Sequence, residues 1–276
     1  MDAYYFAYGS NLEGQLPGVS SVGPAWLPDK ELACRYKSSE RRGGVFDVCD
    51  RIGQATAGWL FSMTDDAWVG LDSKDEASKY FRRFSWFAIE PHGQHVAVET
   101  YEVIPEERGL FASPNNEYLK TVRAGRKKHH ISDDGHLDAV SKNTSCPWYT
   151  PYVFVYGTCR PKESRFEVLN RHGIKELRKG TVDGTLLDFG AWPGLVEGTT
   201  PIQGELVRSA NLPELLSALD EVEGFEGWCG AGHLFRRTLR KIETDAGPVI
   251  AWLYDYAGRE RGATIIATGD WFMRKK

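Results

Sequence analysis

One pattern occurs twice in this chain of 276 residues, at a constant spacing. An aromatic and apolar run ends in Tyr-Gly followed by a hydroxyl residue, first at Tyr8 and again at Tyr156, which is 148 positions later. A Leu-Asp pair recurs at the same spacing, at Leu71 and Leu219. Two separated motifs rarely share one offset by chance, so the sequence predicts two copies of one structural unit.

The segment from residue 140 to residue 151 separates the two copies. It is rich in Ser, Asn and Pro, a composition typical of a linker between domains. We therefore expect one domain over residues 1–147 and a second over residues 148–276. With 41% hydrophobic residues, the chain can supply a core for two domains of that size.

Both copies show several strands and few helices. Each opens with a short apolar run that meets a glycine, which predicts a buried strand ending in a tight turn with free backbone N–H groups. Runs rich in aromatic and branched residues predict further strands at 57–63, 96–103, 204–208 and 249–256. Because strands and helices do not alternate, we expect the α+β class, with two small mixed β-barrel domains and flanking helices.

One helix is well marked in the second copy. Asn211 can cap its start, and Pro213 suits its first turn. An apolar stripe with helical spacing follows, formed by Leu212, Leu215, Leu216, Leu219 and Val222. Gly224 can end the helix in the left-handed conformation, which places Glu223 in the last turn.

The position of Glu223 bears on its protonation. The partial negative charge of a helix C-terminus disfavours a second negative charge, so we expect its pKa to lie above the ordinary value of about 4.3. A carboxyl group shifted toward neutral pH is an effective proton shuttle. The same position is common for a solvated surface glutamate, so position alone does not decide between the two interpretations.

Charge and composition argue against several classes of partner. Lys and Arg total 34 against 38 Asp and Glu, and the net charge of −4 gives no long-range attraction to nucleic acid. We interpret the basic run 123–130 as a solvated helix end. No apolar run reaches membrane-spanning length, so no membrane partner is expected, and the N-terminal residues lack a secretory signal, which predicts a cytoplasmic protein.

The spacing of cysteine and histidine predicts no metal site. The cysteines are widely spaced without a Cys-x-x-Cys pair, so we expect reduced, mostly buried thiols at Cys34, Cys49, Cys146, Cys159 and Cys229. His172 and His233 lack the spacing of metal ligands. We expect neither a metal nor another cofactor, and the sequence leaves the oligomeric state open.

Several motifs of the second copy form a recognisable combination. They are Tyr156-Gly157-Thr158, Pro193-Gly194-Leu195-Val196, Gly204-Glu205-Leu206, Leu219-Asp220, Glu223-Gly224, Phe235-Arg236-Arg237 and Gly269-Asp270-Trp271. As a set, they closely resemble the gamma-glutamylcyclotransferase-like superfamily, particularly its gamma-glutamylamine cyclotransferase and AIG2-like branches. The resemblance covers residues 152–273.

The first copy carries a related set of motifs. They are Tyr8-Gly9-Ser10-Asn11-Leu12, Gln15, Leu71-Asp72, Tyr80-Phe81-Arg82-Arg83 and Ser113-Pro114-x-x-Glu117-Tyr118. This set resembles the bacterial gamma-glutamylcyclotransferases. One position departs from the family, because Asp75-Glu76 stands where the family has Glu-Gly. Either Glu76 serves in a shifted register, or this domain has lost cyclisation and remains as a scaffold or substrate-shaping partner.

The resemblance implies a reaction on a small-molecule gamma-glutamyl substrate. The substrate's free α-amine attacks its own side-chain carbonyl, closes 5-oxoproline and expels an amine or amino acid. Glu223 would move the proton, with Asp75 or Glu76 as its counterpart in the first copy, and backbone N–H groups would hold the oxyanion. The implied substrate-binding residues are Tyr156, Gly157, Thr158, Cys159 and Tyr254 in the second copy, and Tyr8, Gly9, Ser10, Asn11, Leu12 and Tyr118 in the first.

Other interpretations stay open. An accessory binding protein would keep the pocket without turnover, and a hydrolase or amide transferase would yield free glutamate or a new amide. A nucleophilic Cys159 is disfavoured because no histidine partner motif accompanies it. Strand alternation lets at most one of Arg236 and Arg237 point inward to bind a substrate carboxylate, and Tyr254 is either a pocket residue or a core tyrosine. The leaving amine is undetermined, and we expect the insertion 225–233 to cover the substrate.

Overall fold

Each copy of the repeat builds its own β-sheet. The computed structural model describes residues 4–13, 17–74, 77–132, 135–144, 149–228, 230 and 232–274. The chain divides into two units, one made of Met1–Glu90 and Gln94–Tyr149, the other of Pro91–Gly93 and Thr150–Lys276. Within the described ranges, no helix has the length and apolar character needed to cross a lipid bilayer.

The sheet of the first unit closes into a five-stranded barrel. Its strands are β1 (Tyr4–Ala7), β2 (Val19–Ser38), β3 (Gly43–Met63), β4 (Phe81–Ile89) and β5 (His95–Val103). They follow the order β1-β3-β2-β4-β5, and β1 closes the barrel by pairing in parallel with β5. The helices of this unit are α1 (Asp65–Asp72), α2 (Ala77–Tyr80), α3 (Asn116–Lys128) and α4 (His136–Ser141).

The sheet of the second unit has six strands and curls without closing. Its elements are β6 (Tyr152–Val155), α5 (Phe166–Arg171), β7 (Ile174–Asp188), β8 (Pro193–Ser209), α6 (Leu212–Glu223), β9 (Phe235–Ile242), β10 (Val249–Tyr256) and β11 (Thr264–Ile265). The strand order is β11-β7-β8-β6-β10-β9. An isolated bridge between Thr181 of β7 and Glu243, just after β9, joins distant strands of this sheet. The predicted α+β class with two small barrel-like domains and flanking helices is therefore confirmed.

The predicted strands all occur, and two of them are longer than predicted. The runs 249–256 and 96–103 correspond to β10 and β5. The runs 57–63 and 204–208 are only the last parts of β3 and β8, which are 21 and 17 residues long. The long partner strand β2 was not predicted because proline and glycine interrupt its sequence.

Helix α6 begins and ends where the sequence predicts. Asn211 takes the N-cap position, although its side chain makes no capping hydrogen bond. Gly224 ends the helix with φ 69° and ψ 36°, a conformation that favours glycine. The four leucines of the stripe are buried, whereas Val222 is only half-buried because it lines a cavity described below.

A close contact between a phenylalanine and a glycine is repeated in both units. A Cβ atom at Gly58 would lie 2.4 Å from the Phe6 Cζ atom and 2.4 Å from a backbone oxygen of β1. At Gly204 it would lie 2.5 Å from the Phe154 Cζ atom and 2.5 Å from a backbone oxygen of β6. Only glycine lets the first strand of each unit pack at this distance, which explains why both positions share the residue.

Replacing either glycine with alanine should destabilise the protein. We expect Gly58→Ala and Gly204→Ala each to lower the free energy of unfolding by about 1–3 kcal/mol, because the added methyl group overpacks a filled contact. Gly70→Ala is the control, since a Cβ atom there meets nothing within 4 Å and the residue lies in α1. Urea denaturation measures the free energy of unfolding of all three variants. A wild-type value for both Gly58→Ala and Gly204→Ala would contradict the proposed close packing.

Candidate functional site

A cavity of about 110 Å³ lies in the second unit, between the end of β6 and the end of α6. The predicted site residues of the second copy come together around it. They are Tyr156, Gly157, Thr158, Cys159, Glu223 and Tyr254. Residues about 100 positions apart in sequence therefore meet at one site, as the resemblance implied, and the structure adds neighbours that sequence reasoning did not find.

The loop that follows β6 lines this cavity with residues whose backbone N–H groups are not used within the fold. The Arg160 N–H donates to the Gly157 carbonyl oxygen at 3.0 Å, and the Arg165 N–H donates to the Thr158 carbonyl oxygen at 2.9 Å. Among the described residues, no acceptor takes the N–H groups of Gly157, Thr158 or Cys159. A Cβ atom at Gly157 would lie 2.5 Å from the ring of Pro193, so glycine is required where the loop passes β8.

The Tyr156 hydroxyl group anchors the end of β6. It donates to the Tyr254 carbonyl oxygen of β10 at 2.7 Å and accepts the Leu195 N–H of β8 at 3.3 Å. Burial, with a smaller contribution from the nearby Glu223, holds the pKa of Tyr156 well above its ordinary value. The hydroxyl group is therefore used within the fold, where it fixes the loop that carries the free N–H groups.

Asp220 connects the last turn of α6 to β9 and β10. The Tyr254 hydroxyl group donates to Asp220 Oδ1 at 2.6 Å, and Arg237 Nη1 donates to Asp220 Oδ2 at 2.7 Å. Arg237 is the inward member of its pair and Arg236 is exposed, as strand alternation predicts. Arg237 is thus paired with Asp220 and does not line the cavity, and the same contacts hold the helix turn that ends at Glu223.

The described part of the insertion 225–233 does not cover the cavity. Phe225 and Trp228 are buried, and their rings lie 5.1 Å and 5.0 Å from the Arg237 guanidinium carbon. None of the described residues of this insertion lines the cavity, so the expected role as a substrate cover is not seen. The insertion packs on Arg237 instead, because a buried guanidinium group favours contact with aromatic rings.

The carboxyl group of Glu223 is half-buried at the cavity wall. Burial raises its pKa from 4.5 to about 7, and the nearby Arg165 opposes this rise. The direction matches the expectation from the sequence, but its main cause is loss of hydration and not the charge of the helix end. At neutral pH both protonation states are populated, so the group can accept and donate a proton.

Burial makes the thiol of Cys159 less reactive, whereas it makes Glu223 a better proton carrier. This residue is buried, and burial together with the charge of Glu223 raises the pKa of its thiol to about 12. A thiol with this pKa stays protonated at neutral pH and is a poor nucleophile. Cys34 and Cys49 are also free and buried, while Cys146 and Cys229 lie outside the described residues. In the described part of the chain, no group of three His, Cys, Asp or Glu side chains is placed to hold a metal ion.

Three residues that line the cavity belong to no motif quoted from the sequence. They are Arg165, Trp192 and Leu234. Arg165 is exposed, and its Nη1 atom lies 3.4 Å from the Val222 carbonyl oxygen. No motif marks this arginine, which stands in a polar run after the loop. Trp192 directly precedes a quoted motif, and an aromatic residue beside that motif was the available signal.

The first unit has a cavity of about 350 Å³ at the corresponding place. Its lining includes the predicted residues Tyr8, Gly9, Ser10, Asn11 and Tyr118. Leu12 does not line it, because this side chain packs fully buried in a core cluster. Asp75 and Glu76, the predicted acidic residues of this copy, lie outside the described residues.

The contacts that hold the end of α6 in the second unit recur at the end of α1 in the first. The Tyr8 hydroxyl group donates to the Tyr101 carbonyl oxygen at 2.7 Å, and the Tyr101 hydroxyl group donates to Asp72. Arg83 Nη1 lies 3.1 Å from Asp72 Oδ2. The cavities differ in charge, since Lys74 lines the first at the position that corresponds to Val222 in the second.

Comparisons with known proteins point to one family. The family model described as "Gamma-glutamyl cyclotransferase, AIG2-like" matches residues 153–273. A Vibrio cholerae protein named "Putative gamma-glutamylcyclotransferase" is 36% identical over 124 residues, which are 44% of this chain and 96% of that protein. Gamma-L-glutamyl-butirosin B gamma-glutamyl cyclotransferase of Niallia circulans is 29% identical over 109 residues, 39% of this chain and 68% of that protein. The solved structure of YkqA from Bacillus subtilis is 16% identical and covers 94% of this chain and 85% of its own, with a TM-score of 0.37.

Glu223→Gln should stabilise the protein more at high pH than at low pH. A carboxyl group whose folded pKa is raised contributes stability that is present below its unfolded pKa and lost as the pH rises through the folded pKa. For Glu223 this window runs from 4.5 to about 7. The melting-temperature difference between Glu223→Gln and wild type should widen across this window and then level off.

A matched control for this measurement is Glu221→Gln, an exposed position of the same helix. Thermal melts of the three proteins at several pH values separate the buried carboxyl group from a general effect of removing one charge. A difference between Glu223→Gln and wild type that stays constant across the window would contradict the buried environment of Glu223.

Proposed function

We propose that this chain, which belongs to the gamma-glutamylcyclotransferase family, releases 5-oxoproline and a free amine or amino acid from a gamma-glutamyl amide. One observation carries the proposal. The Glu223 carboxyl group, with a pKa of about 7, shares a cavity with the backbone N–H groups of Gly157 and Thr158. Proton transfer and oxyanion stabilisation are the two kinds of assistance that this cyclisation requires.

The substrate supplies its own nucleophile in this reaction. Its α-amine attacks the side-chain carbonyl carbon, a new C–N bond closes the five-membered ring, and the bond to the leaving nitrogen breaks. All atoms of the substrate are divided between 5-oxoproline and the amine, so no water is consumed. No enzyme nucleophile is needed, which fits the protonated and buried thiol of Cys159.

Glu223 would carry the proton between the two nitrogens. An α-amine is an ammonium group below a pKa of about 8, so it loses one proton to solvent before it can attack. It loses a second proton as the C–N bond forms, and the Glu223 carboxylate accepts this one. The protonated carboxyl group then returns it to the leaving nitrogen, which departs as a neutral amine. A group that accepts and donates within one turnover works best with a pKa near the working pH.

The N–H groups of Gly157 and Thr158 would stabilise the oxyanion. When the α-amine attacks, the carbonyl oxygen of the substrate gains negative charge. Donors that are not used within the fold are available to bind this oxygen. In other enzymes, the loss of one such donor costs about 3 kcal/mol of transition-state stabilisation.

Arg165 is the cation that we assign to the substrate α-carboxylate. Its charge lies close enough to Glu223 to lower the pKa of that carboxyl group. The α-amine and the α-carboxylate of a gamma-glutamyl group are attached to the same carbon. An amine placed at Glu223 therefore brings the carboxylate near Arg165, whose planar guanidinium group suits paired hydrogen bonds to a carboxylate.

We assign turnover to the second domain and a scaffold or substrate-shaping role to the first. The first domain keeps the Tyr-Gly-Ser loop and the contacts of Asp72. However, Asp75 is one methylene shorter than the glutamate at the corresponding position, and a misplacement of about 1 Å can cost roughly 100-fold in rate. The positive charge of Lys74 also replaces the apolar Val222 beside that position.

The two domains should respond differently to loss of the acidic residue. Glu223→Gln should lower kcat for 5-oxoproline release by roughly 100-fold to 10,000-fold with a small change in binding, the usual range for a lost general base. Asp75→Asn, at the corresponding position of the first domain, is the matched control and should keep much of the activity. Mass spectrometry of 5-oxoproline released from a panel of gamma-glutamyl compounds measures both variants.

The reverse pattern would contradict the assignment of domains. If Asp75→Asn abolished release while Glu223→Gln did not, the working base would belong to the first domain. An N-acetylated substrate provides a further check, because blocking the α-amine removes the nucleophile. Cleavage of that compound at the normal rate would mean that water or a side chain attacks, and the cyclisation proposal would fail.

A further inference from the structure

An apolar wall forms the strand side of the second-domain cavity. It consists of the first residues of β8 and β9, Pro193 and Phe235, and the residue just before each strand, Trp192 and Leu234. Pro193 and Phe235 are buried, but Trp192 is only half-buried and Leu234 is 44% exposed. Large apolar side chains that stay exposed at the rim of a cavity are typical of a binding surface.

The ring of Trp192 is held in place by other aromatic rings. It stacks on Phe189 with centroids 4.3 Å apart, and it contacts Phe235 and Tyr256 at 5.6 Å each. Tyr256 is fixed in turn, because its hydroxyl group donates to the Arg259 carbonyl oxygen at 2.9 Å. A ring supported on several sides offers a rigid surface to a ligand at little entropic cost.

The charged groups of the cavity come from other elements, the start of α5 and the end of α6. Among the described lining residues, Arg165 and Glu223 are the ones that carry charge. In the reaction above, Arg165 binds the α-carboxylate and Glu223 serves the two nitrogens. A leaving amino acid would add a second carboxylate, and a leaving diamine would add an ammonium group. Either charge would have to lie against the apolar wall without a partner, which is unfavourable.

The charge beside the apolar residues differs between the two copies. The cavity of the first domain also has apolar lining residues, such as Val45, Phe46 and Phe81, but it adds three charged ones, Glu40, Arg41 and Lys74. The two copies of the repeat therefore present different chemistry beside the same kind of loop. Beside its apolar wall, the second-domain cavity therefore favours an uncharged ligand group.

We infer that the amine released by the second domain is neutral and apolar apart from its reacting nitrogen, namely an alkyl or arylalkyl amine whose carbon skeleton packs on Trp192 and Leu234. This inference rests on the proposed function, since it concerns the leaving group of that reaction. The glutamyl part occupies the side of Arg165 and Glu223, and the leaving group extends along the wall. Trp192 and Leu234 are then the residues that determine specificity.

The test compares substrates that share the gamma-glutamyl group and differ only in the amine. The probes are the gamma-glutamyl derivatives of methylamine, isoamylamine, phenethylamine, glycine and the ε-amine of lysine. We expect kcat/KM for the isoamyl and phenethyl compounds to exceed that for the glycine and lysine compounds by at least roughly 10-fold, the usual discrimination of an apolar pocket.

Two variants test the wall directly. Trp192→Ala should lower kcat/KM for the phenethyl compound by roughly 10-fold, mainly through KM, and change the methyl compound little. Leu234→Lys, at an exposed position, should raise the relative kcat/KM for the glycine compound by supplying a cation for its carboxylate. Leu177→Ala removes an exposed leucine that does not line the cavity, so it is the control and should keep the wild-type order of substrates.

The outcomes separate this inference from the function on which it rests. Suppose that the full-length protein turns over the glycine or lysine compound as well as the phenethyl compound, and that Leu234→Lys leaves their order unchanged. The inferred preference for an apolar leaving group is then wrong, whereas the proposed cyclisation stands. If none of the five compounds yields 5-oxoproline, the proposed function fails and the inference fails with it. The Leu234 variant keeps the test informative if Trp192→Ala does not fold.

Discussion

Asp220 holds the last turn of α6 against two strands, and the geometry of the site depends on where that turn ends. Its two carboxylate oxygens accept hydrogen bonds from Tyr254 of β10 and Arg237 of β9. Glu223 follows within one helical turn, and Gly224 ends the helix directly after it. The same contacts recur around Asp72 in the first unit, so this way of fixing a helix end belongs to the repeated architecture.

The burial that makes Glu223 suitable as a proton carrier also costs stability. Loss of hydration disfavours its charged form and raises the pKa to about 7. Above that pH, the folded protein holds a carboxylate in an unfavourable place, and the nearby Arg165 offsets part of this effect. Functional sites often retain a strained or poorly solvated group in this way, because the surrounding fold is stable enough to hold it.

The sequence predicts the parts of the structure that depend on local patterns. The duplication, the fold class, helix α6 and strand β10 follow from repeats, caps and periodicity, and the structure confirms them. Strand β2 could not be predicted, since Pro24 and Pro28 argue against a strand. The structure accommodates them beside register shifts after Ser21 and Pro28, where the pairing with β3 is irregular.

Contacts between distant segments could not be predicted from local patterns. Arg165 and Trp192 reach the cavity only because α5 and β8 fold beside the loop after β6, and no motif marks either residue. The pairing of Arg237 with Asp220 likewise depends on the position of α6 over β9. Family motifs predicted a site made of the loop and Glu223, and these residues line one cavity. The side chains that would distinguish one substrate from another appear only in three dimensions.

The proposed reaction requires that the substrate's own amine, and not water, attacks the gamma-carbonyl group. The most direct measurement is turnover of a gamma-glutamyl amide in ¹⁸O-labelled water, followed by mass spectrometry of the acidic product. Cyclisation should give 5-oxoproline without ¹⁸O, because no oxygen atom enters the product. Free glutamate that carries one ¹⁸O atom in its side-chain carboxyl group would rule out cyclisation and identify a hydrolase.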